Sequence, residues 1–154
     1  MSIVMEERTL LTFEIDFRRS IEQMVKAGNY GEASPTINGK NFFIHGKGVR
    51  TIQVVLFHFT AAIKAQRVIA EMKRDDQYPS EPAGIEGLLA VGERFPDLQR
   101  DFRIFALGCS DISFDYCVSP YLGWHERHGR ILGYLAAENF FSNGCVFLGE
   151  LCTD

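Results

Sequence analysis

The chain has 154 residues, of which 46% are apolar and 23% charged, with thirteen Phe; this is the make-up of one folded domain around one core and excludes a disordered or low-complexity protein. A net charge of −4 argues against generic nucleic-acid binding. The charge is unevenly spread: residues 1–74 carry eleven basic and seven acidic side chains and residues 75–154 carry five and thirteen, so the halves stand at +4 and −8. Either an ordinary solvated surface or a dipolar one that steers a charged partner accounts for this.

The opening MSIVMEERTLLTF holds acids where a secretory signal carries its positive start. The longest apolar run, Val54 to Phe59 and on through Ala61 to Ile63, is broken by His58 and Lys64, far short of the ~20 residues that span a bilayer. The expectation is a cytoplasmic protein without a membrane segment.

Leu11, Phe13, Ile15 and Phe17 alternate with Thr12, Glu14 and Asp16, the period-two pattern of a strand with one buried face. Ser20 and Gln23 form a capping box, after which Ile21, Met24 and Val25 share one face of a short helix closed by Gly28. Asn29 to Gly39 is rich in turn formers and reads as a surface connection. Phe42–Ile44 and Thr51–Phe59 read as strands joined by a Gly46-Lys47-Gly48 turn, the second apolar on both faces and central in its sheet. From Ala61 to Arg74, Ala61, Ala65, Val68, Ile69 and Met72 line one face of an amphipathic helix. After the break at Tyr78 to Pro82, Ile85, Leu88 and Leu89 mark a third helix that packing must hold, because Gly84, Gly87 and Gly92 weaken it. Strands are then expected at Phe102–Leu107, Ser113–Val118, Arg130–Ala136 and Cys145–Leu151, with Asn143-Gly144 as a hairpin signal between the last two.

These elements predict a single α+β domain over residues 1–154. Its sheet is mostly antiparallel, with three helices in the first two thirds and a β-rich C-terminal third. The segment IEGLLAVGERFPDLQRDFRIFALG, residues 85–108, resembles a pattern found in small uncharacterised bacterial proteins: a helix ending Leu-Leu-Ala, then Tyr/Phe-Pro-Asp-Leu-Gln, then a strand ending Ala-Leu-Gly. The opening block TFEIDFRRSIEQMVKAGNY and the Thr51–Phe59 strand are similar to the first half of the same proteins. The resemblance implies a shared fold and brings no established activity or catalytic residue with it. Where those proteins tend to carry Ser after Ala-Leu-Gly this chain has Cys109, which speaks against a required nucleophile there. The short C-terminal strands also resemble the second half of C-type-lectin-like folds, the alternative architecture.

Cys109, Cys117, Cys145 and Cys152 fit no zinc or redox spacing, and reduced thiols are expected. His45-Gly46-Lys47-Gly48 lacks the strand-to-helix context of a phosphate loop. His125 and His128 stand three apart rather than the four that aims two histidines at one zinc from a helix, and they run into Gly129, which suits a hairpin tip. Cys109 has no histidine near it in sequence and reads as a small hydrophobe; His58, inside an apolar strand, reads as a hydrogen-bonded core histidine. With twenty acids in the chain, no carboxylate pair stands out for acid–base work.

Tyr121 and Trp124, the one Trp of the chain, lie beside His125, Arg127, His128 and Arg130, residue types enriched at recognition surfaces, and core packing from a strand end accounts for the Trp equally well. These six are the candidate binding residues. The reading is a non-catalytic binding module that captures a protein partner or forms a homodimer through the 121–130 hairpin, with no metal or cofactor and no nucleic-acid or membrane partner. The alternative is a hydrolase using His125 and His128 as a metal or general-base site.

Overall fold

A computed structural model of the chain describes residues 5–59, 61–112, 115–138, 141 and 144–152. In chain order the elements are β1 (Met5–Asp16), α1 (Ile21–Gly28), β2 (Glu32–Ala33), β3 (Val49–Phe59), α2 (Ala65–Arg74), β4 (Ser80–Pro82), α3 (Ile85–Arg94), β5 (Arg103–Phe105), β6 (Asp111–Ile112), β7 (Tyr116–His125), β8 (Gly129–Glu138) and β9 (Cys145–Leu151). Among the described residues the strands form one mixed sheet in the order β1-β3-β9-β5-β7-β8-β2, with β4 on β9 and β6 on β7. Among the described residues only β5–β9 and β2–β8 run parallel. The result is the expected single α+β fold with a mostly antiparallel sheet.

The sheet is buried on both faces, and β3 shows why. Its side chains alternate: Ile52 and Val54 join a core with Ile21 and Met24 of α1 and Ile85, Leu88 and Leu89 of α3. Val55, Phe57 and Phe59 join a second core with Ala65, Val68 and Met72 of α2. A strand covered on both faces needs apolar residues at successive positions, which is what Val54 to Phe59 supplies. β1 and β9 flank it on either side.

The local signals explain the helices. Ser20 accepts a bond from the Gln23 amide while the Gln23 side chain takes the Ser20 amide, so the capping box is complete. At the other end Asn29, not Gly28, adopts the left-handed conformation (φ 52°); Gly28 is small for a different reason, since a Cβ there would lie 2.3 Å from the Tyr30 ring. α3 is buried at every position from Ile85 to Gly92, which offsets its interior glycines.

Four expectations are corrected. Phe42–Ile44 is not a strand, because both edges of β3 are taken and the segment finds other partners: Phe42 packs edge-on against Tyr134 at 5.8 Å, and the His45 amide bonds Glu86. α2 begins at Ala65, with Ile63 instead bridging to Phe141. β7 continues to His125, so the hairpin loop shrinks to Glu126–His128. β9 crosses to lie between β3 and β5 rather than returning beside β8; Ser113, Phe114 and Asn143 lie outside the described residues. No helix among the described residues is long and apolar enough to cross a membrane.

Phe57 is fully buried, so Phe57→Ala is expected to lower stability by ~3–5 kcal/mol in denaturant unfolding. Thr12→Ala, on the exposed face of β1, should change it by no more than ~0.5 kcal/mol. Equal effects would contradict the assignment of faces.

Candidate functional site

β7 and β8 form a ten-pair antiparallel hairpin whose last pairs are Trp124 with Arg130 and His125 with Gly129. Gly129 closes the turn with a φ of 69°, a conformation that favours glycine. The tip, Trp124 to His128, is exposed throughout, Trp124 at 44%. The Arg100 guanidinium lies over the Trp124 ring, 5.0 Å from its centroid. The rings of His125 and His128 stand 4.9 Å apart, and His125 Nδ1 accepts the Arg127 amide at 3.0 Å. His128 Nε2 lies 3.9 Å from a carboxylate oxygen of Glu32. The structure therefore brings Trp124, His125, Arg127 and His128 together, and Arg100 joins them from a turn that sequence reasoning did not connect with the tip.

Tyr121 and Arg130 do not belong to that exposed group. Tyr121 lies on the α2 side of the sheet, 5.5 Å from the Phe105 ring, with its own ring over Gly133, where a Cβ would come within 2.3 Å. Arg130 turns inward. Its guanidinium donates to the carbonyls of Gly28, at the end of α1, and Gly92, in the last turn of α3, and reaches Gln99 Oε1 at 3.2 Å. It also lies 4.7 Å from the centroid of the Tyr30 ring. Helix ends leave carbonyls without partners inside the helix and carry partial negative charge, so a cation is the group that satisfies both. Gln99, 1% exposed, completes the network by donating to the carbonyls of Gly123 and Ile131. The alternation of a strand places Arg130 on the inner face, but nothing in the local sequence announces the helix ends it meets.

The chain also crosses close beneath the tip. Gly31 donates to the Arg130 carbonyl at 2.8 Å, and a Cβ on Gly31 would lie 1.6 Å from the His128 carbonyl oxygen. β2 then runs alongside β8. The exposed residues thus stand on a supported turn.

A second grouping lies away from the hairpin. His45, Glu86 and Cys109 line a cleft of about 450 Å³. Glu86, only 7% exposed, accepts the His45 amide at 2.8 Å, and its other oxygen lies 3.6 Å from His45 Nδ1. Its acid character at the start of α3 was the one available sequence signal. The trio does not make a nucleophile: burial, and then the Glu86 charge, push the Cys109 thiol up to about 12. The thiol contacts the Ala106 carbonyl oxygen at 3.4 Å. A reactive cysteine needs a cation or helix N-terminus to favour its thiolate. His58 lies elsewhere, against Phe102. All four cysteines are free thiols. Among the described residues, no group of three or more His, Cys, Asp or Glu is placed to hold a metal ion.

Burial also raises Cys117 to about 11 and Tyr30 to about 12. These groups are held in their neutral forms by the fold, so the unfolded chain releases their protons first. Between the ordinary value of 9.0 and about 12 for Cys109 the native state binds more protons, and stability must fall as pH rises through that window. The melting temperature is expected to fall across it, with a shallower slope in Cys109→Ala and Tyr30→Phe. Identical slopes in wild type and variants would contradict these environments.

Compared with known proteins, the chain matches no family model, no curated protein and no solved structure.

Proposed function

We propose that the protein is a non-catalytic binding module that captures a protein partner, a second copy of itself included, through the tip of the β7–β8 hairpin. The observation that carries this reading is Trp124: the one Trp of the chain stands 44% exposed on a turn braced from below. A large aromatic fixed before binding contributes contact area at little entropic cost. Arg100 and Arg127 flank it, so the contact suits an acidic partner surface. The four free thiols fit a reducing compartment such as the cytoplasm.

A hydrolytic role for His125 and His128 has less support. Their rings are exposed, and His125 Nδ1 is engaged by a backbone amide. A catalytic base works best where water is excluded.

The test is Trp124→Ala followed by sedimentation over a range of concentrations and by titration of acidic partner proteins. Association should weaken by at least about tenfold, as for a contact contributing more than ~1.4 kcal/mol, while the melting temperature stays within a few degrees. A stability loss of ~3–5 kcal/mol would show instead that Trp124 is core. His125→Ala/His128→Ala should leave association nearly intact. Stoichiometric metal in the untagged wild type that disappears in this double variant would replace the binding-module reading with the hydrolase.

A further inference from the structure

The sheet ends differently at its two sides. At one end stands β2, two residues long; at the other stands β1, twelve residues long and paired with β3 along one side. Antiparallel bonds alternate, so every second residue of β1 turns its N–H and C=O away from β3. Phe17 fixes the parity: its amide donates to the Gly48 carbonyl at 2.7 Å, one step beyond the Asp16–Val49 pair. Thr9, Leu11, Phe13 and Ile15 therefore bond inward, and Arg8, Leu10, Thr12 and Glu14 present their backbone groups outward. Among the described residues Leu10 and Thr12 find no partner for theirs, and the Glu14 carbonyl takes the Arg94 side chain at 3.3 Å.

A long edge strand is a template for pairing, and proteins blunt such edges with Pro, Lys, a bulge or short length. The irregularity of β1 lies at Met5–Glu7, before this stretch, and Thr9 to Phe13 holds no charge, Pro or Gly. Leu10 packs against one core and Leu11 against the other, each half-buried. Apolar residues on both faces are the pattern of an internal strand, here standing at the end of the sheet. One further strand would satisfy the outward amides and cover both leucines.

We propose that this strand is the β1 of a second copy of the chain, added antiparallel about a two-fold axis at Leu11, so that two sheets become one. Such an axis stands normal to the sheet and pairs residues of equal parity, which keeps each core on its own face. Centred on Leu11, it sets Leu10 opposite Thr12 and Arg8 opposite Glu14, outward groups against outward groups, with an opposite-charge pair at each end. Centred on Thr12, it would set Leu10 opposite Glu14 and Arg8 opposite Asp16, which Arg18 already holds at 2.8 Å. Centred on Leu10, it would run Glu14 into the irregularity at Met5–Glu7. The hairpin tip lies on other strands, so this proposal does not rest on it: association through the tip shows as bound partner or as species larger than the dimer.

The test is sedimentation of wild type, Trp124→Ala and Thr12→Pro over a range of concentrations, with cysteine cross-linking in Cys152→Ser protein to fix the register. Wild type and Trp124→Ala should both show a concentration-dependent dimer. Thr12→Pro removes an outward N–H that β3 does not use, a place where an edge strand tolerates Pro. It should weaken the dimer by at least about tenfold, since one hydrogen bond is lost from each copy. Leu11 meets its own copy in a non-hydrogen-bonded pair with Cα atoms about 4.5 Å apart, within disulfide reach. Leu11→Cys should therefore link two chains on mild oxidation, and Glu14→Cys, six residues from its own copy along the strands, should not. If Thr12→Pro fails to fold, the wild-type sedimentation and the cross-linking decide. A wild type that stays monomeric at every concentration, even one whose edge accepts an extended segment of another protein, would overturn the proposal. So would a dimer lost in folded Trp124→Ala, a folded Thr12→Pro that dimerises as wild type does, or a Leu11→Cys that links no faster than Glu14→Cys.

Discussion

The guanidinium of Arg130 joins three elements that share no backbone pairing. One side chain satisfies a carbonyl at the end of α1 and another in the last turn of α3 while standing on β8. Two helix C-termini converging on one point would otherwise present unpartnered carbonyls and like partial charges to each other. The geometry around that point follows from the need to let them approach. Tyr30 fills the gap between the helices, and Gly28 and Gly92 leave room for its ring, since a Cβ at Gly92 would lie 2.1 Å from the Tyr30 hydroxyl. Gln99 binds Arg130 from the other side and spends its own amide hydrogens on the carbonyls of Gly123 and Ile131, in β7 and β8.

Function follows from what this arrangement holds in place. The turn that carries Gln99 into the interior also places Arg100 over Trp124 and Leu98 against the core beneath α1 and α3. Three adjacent residues thus serve the internal network, the exposed tip and the core. The tip presents its aromatic on a supported hairpin because Arg130, paired with Trp124 across the strands, is fixed from within.

Much of the fold was legible in the sequence because its signals are local. The alternation of Leu11 to Phe17, the Ser20–Gln23 capping box and the apolar stripe of Val68 and Met72 each report a periodicity or a cap within a few residues. Phe42–Ile44 misled because an apolar triplet beside a glycine turn reads as a strand wherever it lies, and the competition for the edges of β3 is a property of the sheet. Arg130 was legible as a recognition residue and is an internal one: its partners stand 102, 38 and 31 residues away. His45 and Cys109 were weighed separately, and the carboxylate of Glu86 that connects them comes from a helix in neither neighbourhood. Trp124 and the two histidines, by contrast, stand where a hairpin tip was expected to put them.

The central claim is that Arg130 couples the two helix ends to the hairpin, and native-state hydrogen exchange on Arg130→Met measures it most directly. Methionine keeps much of the apolar stem and removes the hydrogen bonds and the charge. The expected result is a joint loss of protection at the end of α1, the last turn of α3 and the β7–β8 pairs near the tip, with the β1–β3 pairs from Leu11 to Ile15 unchanged. Protection lost uniformly across the sheet, or retained at both helix ends, would contradict the account.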